Sequence, residues 1–290
     1  DALVATATRL GDKGEALMVA ALDKGEQIAG AGLAAALAVY DTAVGMGLDA
    51  QDYAVAVIDG VEDWGADQVD ALVATATRLG AKGEALMVAA LDKGEQIVDA
   101  GVDVALTVLG AAIVMGLETK AFAVAMADKA EQWTDDQVDS VVAFMKEQGE
   151  EAAALAQAVI DKGDALVEWS GDQAVAFLQA AEAAGVETKE AVVALAQAGE
   201  EKAVAFLEAA YEQGYVVPKE AVVAMAKDMQ NWTEEEVGAF VAYVDGKGQE
   251  YKRDVRRAYQ AAKRQQRSWE RRGKAHRTGG GNKKRGQQVE

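Results

Sequence analysis

The chain has no cysteine, one proline (Pro218), one histidine (His276) and only 6% aromatic residues over 290 positions. Without cysteine there is no disulfide framework, no thiolate nucleophile and no cysteine-ligated zinc. A lone histidine in a glycine-rich tail cannot assemble a Ser-His-Asp triad, and no P-loop, HExxH or EF-hand ligand pattern occurs. Gly30-Ala31-Gly32-Leu33-Ala34-Ala35 loosely matches a dinucleotide-binding fingerprint. It follows a helical segment, however, and the duplicated copy has Asp99 where Gly30 stands, so it reads as an inter-helix loop. The 48 carboxylates are scattered over helix faces and first turns, where solvation and the helix dipole account for them. No catalytic residue, metal ligand or cofactor is expected, and enzyme is the least supported class. Long apolar runs are also missing: the longest, Val104 to Leu117, has 14 residues, short of the roughly 18 to 20 that cross a bilayer. No transmembrane insertion is expected. The chain opens on Asp1 without a signal-peptide pattern, as would an excised fragment or a protein that has lost an organellar (mitochondrial or plastid) presequence.

What is present is an apolar content of 51%, enough for a core and incompatible with disorder over most of the chain. The net charge of −19 conceals a division near residue 250. Residues 251–290 carry 14 Lys/Arg against Asp254, Glu270 and Glu290, a net +11, which leaves −30 on the remainder. An acidic body repels a polyanion and a basic segment attracts one, so nucleic-acid or anionic-lipid contact is expected only at the C-terminal end.

The body repeats with a period of 69 residues. Asp1 to Ile28 recurs as Asp70 to Ile97 with one change, Asp12 to Ala81, and Tyr53 to Trp64 corresponds to Phe122 to Trp133. Leu117 to Lys120 (LETK) returns as Val186 to Lys189 (VETK), and Ala174 to Leu178 returns as Ala203 to Leu207. Self-similarity at this scale marks a stacked array. Apolar residues fall at i, i+3, i+4 and i+7, as in Val69, Leu72, Val73, Ala76 and Val138, Val141, Val142, Met145, and no stretch alternates with period two. Thr134 with Gln137 and Thr233 with Glu236 predict capping boxes, and Gly80, Gly149, Gly185 and Gly214 predict helix stops. Each period thus predicts about four helices of 12 to 16 residues, or two hairpins in units of 34 to 35.

Gly185 to Pro218 (GVETKEAVVALAQAGEEKAVAFLEAAYEQGYVVP) resembles a pentatricopeptide unit, and ALAVYDTAVGMGLDAQDY within Ala35 to Tyr53 resembles the second helix of one such unit running into the next. Tetratricopeptide and other α-solenoid repeats share much of this pattern. The resemblance spans residues 1–247 and implies an all-α, right-handed α-solenoid of about seven degenerate hairpins. In pentatricopeptide proteins one polar side chain early in each first helix helps select a base. That position falls here on Met18, Ala54, Met87, Ala123, Ala156, Val192 and Val222, none of which can hydrogen-bond a base edge. The register admits a slip of one residue. The resemblance therefore implies repeats that bind protein subunits rather than read RNA. Trp64, Trp133, Trp169 and Trp232 recur just before predicted helix starts, where packing between hairpins is the structural expectation and a stacking platform for bases the alternative. The helix from Val104 to Gly116 is apolar all round and is expected to be covered on both sides, by the array or by a partner.

Residues 248–274 read as one long basic helix and 275–290 as an extended tail. Val255, Ala258, Tyr259, Ala262 and Trp269 form a narrow stripe able to dock on the last hairpin or on a partner. The predicted phosphate contacts are Arg256, Arg257, Lys263, Arg264, Arg267, Arg271, Arg272, Lys274, Arg277, Lys283, Lys284 and Arg285. Such a tail resembles the extensions of ribosomal proteins that enter ribosomal RNA. An anionic membrane surface, a contact with the acidic body and a merely solubilising tail are the other readings. The leading expectation is a non-enzymatic scaffold subunit of an organellar ribosome or other ribonucleoprotein, with protein along the repeats and RNA at the C-terminus. An accessory subunit of a respiratory or photosynthetic membrane complex and a phage virion scaffold or ejection protein are the alternatives.

Overall fold

The computed structural model describes residues 2–10, 12–29, 32–61, 63–228, 232–247, 253 and 255–278. Among them every regular element is helical and no strand occurs. The chain opens with α1 (Ala2–Leu10), α2 (Asp12–Leu22), α3 (Gly25–Ala29), α4 (Leu33–Gly45) and α5 (Gln51–Asp59). It continues through α6 (Ala66–Leu79), α7 (Glu84–Asp92), α8 (Gly94–Asp99), α9 (Val102–Val114) and α10 (Lys120–Ala127). Next come α11 (Asp135–Gln148), α12 (Ala153–Lys162), α13 (Asp164–Glu168), α14 (Gly171–Ala183) and α15 (Lys189–Gln197). Last are α16 (Glu200–Glu212), α17 (Lys219–Asp228), α18 (Glu234–Gly246) and α19 (Arg256–Thr278). Two compact units form: Asp1–Ala165 with Ala180–Val186, and Leu166–Gln179 with Glu187–Glu290.

The helix boundaries follow their local chemistry. Thr134 accepts from the Gln137 N–H while its own N–H donates 2.9 Å to Gln137 Oε1, closing a capping box at the start of α11. Thr233 and Glu236 do the same for α18. Ser170 and Gln173 form a third box that the sequence reading missed, although the Ser-x-x-Gln spacing was there to be read. Gly80, Gly149, Gly185 and Gly214 all have positive φ, between 58° and 81°, a region open to glycine at no steric cost.

Helix length departs from expectation. The segment after α6 is a 3₁₀ turn (Gly80–Gly83) followed by two short helices, α7 and α8, broken at Lys93. The break has a packing cause. A Cβ on Gly94 would sit 3.3 Å from both Ala125 Cβ and the Phe122 ring, so α10 crosses closely at this point. In the preceding copy Gly25 lies even nearer to Tyr53 and Ala56 of α5. Glycine permits the approach and at the same time weakens the helix.

In the first unit each helix packs on near neighbours in sequence: α3 on α5, α5 on α7, α8 on α10, α10 on α12, with α4 on α6 and α6 on α9. Helix α9 touches α6, α7, α8, α10 and α11, which explains its apolar circumference. Of its 13 residues only Asp103, Thr107 and Val114 are exposed. Ion pairs join segments about 30 to 34 residues apart: Lys93 Nζ to Asp59 Oδ1 at 2.9 Å, Lys129 to Asp99 at 3.0 Å, and Lys162 to Asp128. Lys93–Asp59 and Lys162–Asp128 occupy equivalent places 69 residues apart. In the second unit α15 packs on α16 and α17, and α16 and α19 both pack on α18.

Tyr53 gives the first unit a measurable signature. It is 2% exposed, its hydroxyl donates 3.3 Å to the Ala36 carbonyl, and burial pushes its pKa up to about 12. The unfolded chain ionises this phenol near 10 while the folded chain resists. Its contribution is thus intact below pH 10 and is lost as pH rises from 10 to 12. The next copy carries Phe122 at this position, also buried. Tyr53→Phe is therefore expected to cost at most about 1 kcal/mol at neutral pH and to flatten the alkaline fall in the urea midpoint. An identical fall in both proteins would refute the assignment.

Candidate nucleic-acid interface

Helix α19 is built from strong helix formers, Ala, Arg, Lys and Gln, with no breaker before Gly273. Its docking edge is the predicted stripe: Val255 at its entrance, Tyr259 and Ala262 are buried and Trp269 is half-buried, and the helix packs on α17 and α18. The side chain of Ala258 lies outside the described residues. Asp245 of α18 fixes the register, accepting from the Tyr259 hydroxyl and from Lys263 Nζ at 2.9 Å.

At 3.6 residues per turn, Arg256, Arg257, Arg264, Arg267 and Arg271 fall within about 100° of arc opposite that stripe. All five are exposed, as is Arg272 on the flank, whose Nη2 lies 3.2 Å from Ser268 Oγ. From Arg256 to Arg271 the ridge runs about 22 Å at 1.5 Å per residue. Fork-shaped guanidinium groups along a straight, solvent-facing ridge suit successive phosphates.

Lys263, predicted to contact phosphate, is engaged elsewhere. Its hydrogen bond with the Tyr259 hydroxyl, and then that with Asp245, holds its pKa above the usual lysine value, and its ammonium sits 5.1 Å over the Tyr259 ring. It positions α19 rather than extending the ridge. The side chains of Lys274 and Arg277, all of Lys283, Lys284 and Arg285, and residues 248–252 and 254 of the predicted long helix lie outside the described residues.

Four of the five tryptophans are buried. Trp64, Trp133, Trp169 and Trp232 are at most 9% exposed, and each stands two residues before a helix start, at α6, α11, α14 and α18. Trp169 meets Phe177 edge to face at 5.3 Å, and Trp232 meets Phe240 at 6.1 Å. Rings so covered offer no open face to a base.

The seven positions predicted for base selection, Met18, Ala54, Met87, Ala123, Ala156, Val192 and Val222, have no accessible surface at all. The next residue along is the outward one. Val19, Val55, Val88, Val124 and Gln157 are exposed, and Val193 and Val223 are half-buried. Six of these seven rungs are valine, so the one-residue slip changes which side chain faces out without supplying base-reading chemistry.

Among the described residues no group of His, Asp and Glu is arranged to hold a metal ion, and no helix is long and apolar enough to cross a membrane. No family model matches the chain, and comparison with curated proteins and with solved structures finds no match.

Proposed function

We propose that this chain is a non-enzymatic scaffold of a ribonucleoprotein, in which the repeats bind protein and α19 binds RNA. The body on this reading is a right-handed α-solenoid of about seven hairpins in units of 34 to 35 residues. Near-neighbour helix packing and the 69-residue recurrence of helix starts, Leu33 with Val102 and Ala66 with Asp135, support it. An organellar ribosome fits the composition of the C-terminal segment.

The observation that carries the RNA assignment is the two-sidedness of α19. One edge buries Val255, Tyr259 and Ala262 and is tied to Asp245 of α18 through Tyr259 and Lys263, while the opposite face holds out five arginines. The remainder of the chain carries a net −30 against +11 over residues 251–290, so the C-terminal segment is the favoured place for phosphate.

The test uses the full chain and a mixed-sequence single-stranded RNA. Arg264→Gln, Arg267→Gln and Arg271→Gln together remove three cations without touching the docked stripe. The triple variant is expected to keep its helical content, bind about 10- to 100-fold more weakly at low salt, and lose about 2 from the slope of log K against log salt. RNA binding with unchanged affinity and slope would overturn the assignment to α19.

A further inference from the structure

We propose that the outward valines of the first unit form a docking groove for a cationic amphipathic helix of a partner protein. Val55 and Val88 are 46% and 45% exposed, high for large aliphatic side chains, and both line one groove of about 530 Å³ between α5 and α7. Val19 lines the adjoining groove between α2 and α5. The two grooves share Leu48, Asp49 and Gln51 and so form one surface. The period repeats it: Val19 and Val88 are equivalent, as are Val55 and Val124, and all four are exposed. Exposed valines retained at equivalent rungs are a patterned apolar surface rather than scattered singles.

Charge selects the occupant. Asp23, Asp49, Asp52, Glu84 and Asp92 edge the grooves, against Lys82, whose ammonium is turned 3.4 Å from the Val44 carbonyl. Burial and then the charge of Asp49 raise the Tyr40 pKa, so this carboxylate is felt at the lining of the groove. An RNA strand would face carboxylates along the whole length. A peptide with Lys or Arg beside an apolar stripe meets valines with the stripe and carboxylates with the flanks.

Spacing selects its conformation. Packed helices lie ~8–10 Å apart, so successive rungs recur at about that interval. A helix laid along the row returns to the same face at i+7, a rise of about 10.5 Å. A strand presents one face every ~6.6 Å, shorter than that whole interval, whereas the helical return brackets its upper end. The helix is the matching ligand.

This proposal rests on the scaffold reading only in that the body binds protein; it needs nothing from α19. The probe is a fluorescent helical peptide of Leu and Lys with its leucines on one stripe. Controls are a Leu/Lys peptide of equal composition without the stripe and a Leu/Glu peptide with it. The full chain is expected to bind the first at least tenfold more tightly than either control. Val55→Ser with Val88→Ser, and separately Asp52→Asn, Glu84→Gln and Asp92→Asn, are each expected to weaken binding about tenfold. Both sets lie on the surface, and an unchanged melting temperature verifies the fold. Val114→Ser, at a 76% exposed valine outside these grooves, is expected to change nothing. The Arg264, Arg267 and Arg271 variant should bind the peptide normally while losing RNA, which separates failure of this proposal from failure of the RNA assignment. Equal binding of the striped and unstriped peptides, or indifference to the two valine substitutions, would overturn the proposal. Loss of RNA affinity in the valine variant would assign the face to nucleic acid instead.

Discussion

Truncating Phe240 to alanine is expected to lower the unfolding free energy by about 3–5 kcal/mol, the range for emptying an aromatic site in a well-packed core. Phe240 has no accessible surface, meets Trp232 edge to face, and sits on α18 between α16 and α19. The ring therefore supports both the last hairpin and the helix that carries the arginine ridge. Amide exchange in α18 and α19 should accelerate together, because α19 has only α17 and α18 as its main footing. Phe240→Leu, which keeps most of the volume, should recover more than half of the loss. A Phe240→Ala protein with an unshifted urea midpoint would show that α18 is not the platform described.

Gly171→Ala is expected to cost about 3 kcal/mol, although alanine is the better helix former. A Cβ at Gly171 would lie 2.3 Å from the Ala205 carbonyl oxygen and 2.6 Å from its carbon, and both belong to the backbone of α16. No rotamer change relieves a backbone clash, so the start of α14 must shift and the core must reopen, an overpacking penalty. Gly238→Ala is the contrasting substitution. It lies inside α18 with open space around a built Cβ, and alanine there should be neutral or stabilising by up to about 1 kcal/mol. Equal effects at the two glycines, read by thermal unfolding, would show that close approach is not what Gly171 provides.

Much of the helical plan was legible because local chemistry decides it. Thr134 and Thr233 cap where their spacing to Gln137 and Glu236 said they would, and the stop glycines adopt the backbone region that only glycine enters cheaply. The stripe docks because Val255, Tyr259 and Ala262 recur at helical spacing on one edge of a helix that is otherwise rich in arginine and lysine. Three features were not legible, each for a tertiary reason. The break at Lys93 depends on how closely α10 passes Gly94, which the sequence of α7 and α8 does not encode. The outward rung could not be told from its inward neighbour because Met87 and Val88, like Val192 and Val193, are apolar alike. Lys263 looked like its neighbouring cations until Asp245, 18 residues earlier, proved to be its partner.

The locality of these contacts has a kinetic consequence. The Tyr40–Lys82 hydrogen bond spans 42 positions, and the Lys93–Asp59 and Lys162–Asp128 ion pairs each span 34. Little chain must be closed before a contact forms, so the entropic barrier to folding is low for a polypeptide of this length. On the stacked-hairpin reading proposed above, nucleation can begin at several hairpins and spread along the chain, and under tension the same arrangement would yield one hairpin at a time rather than all at once.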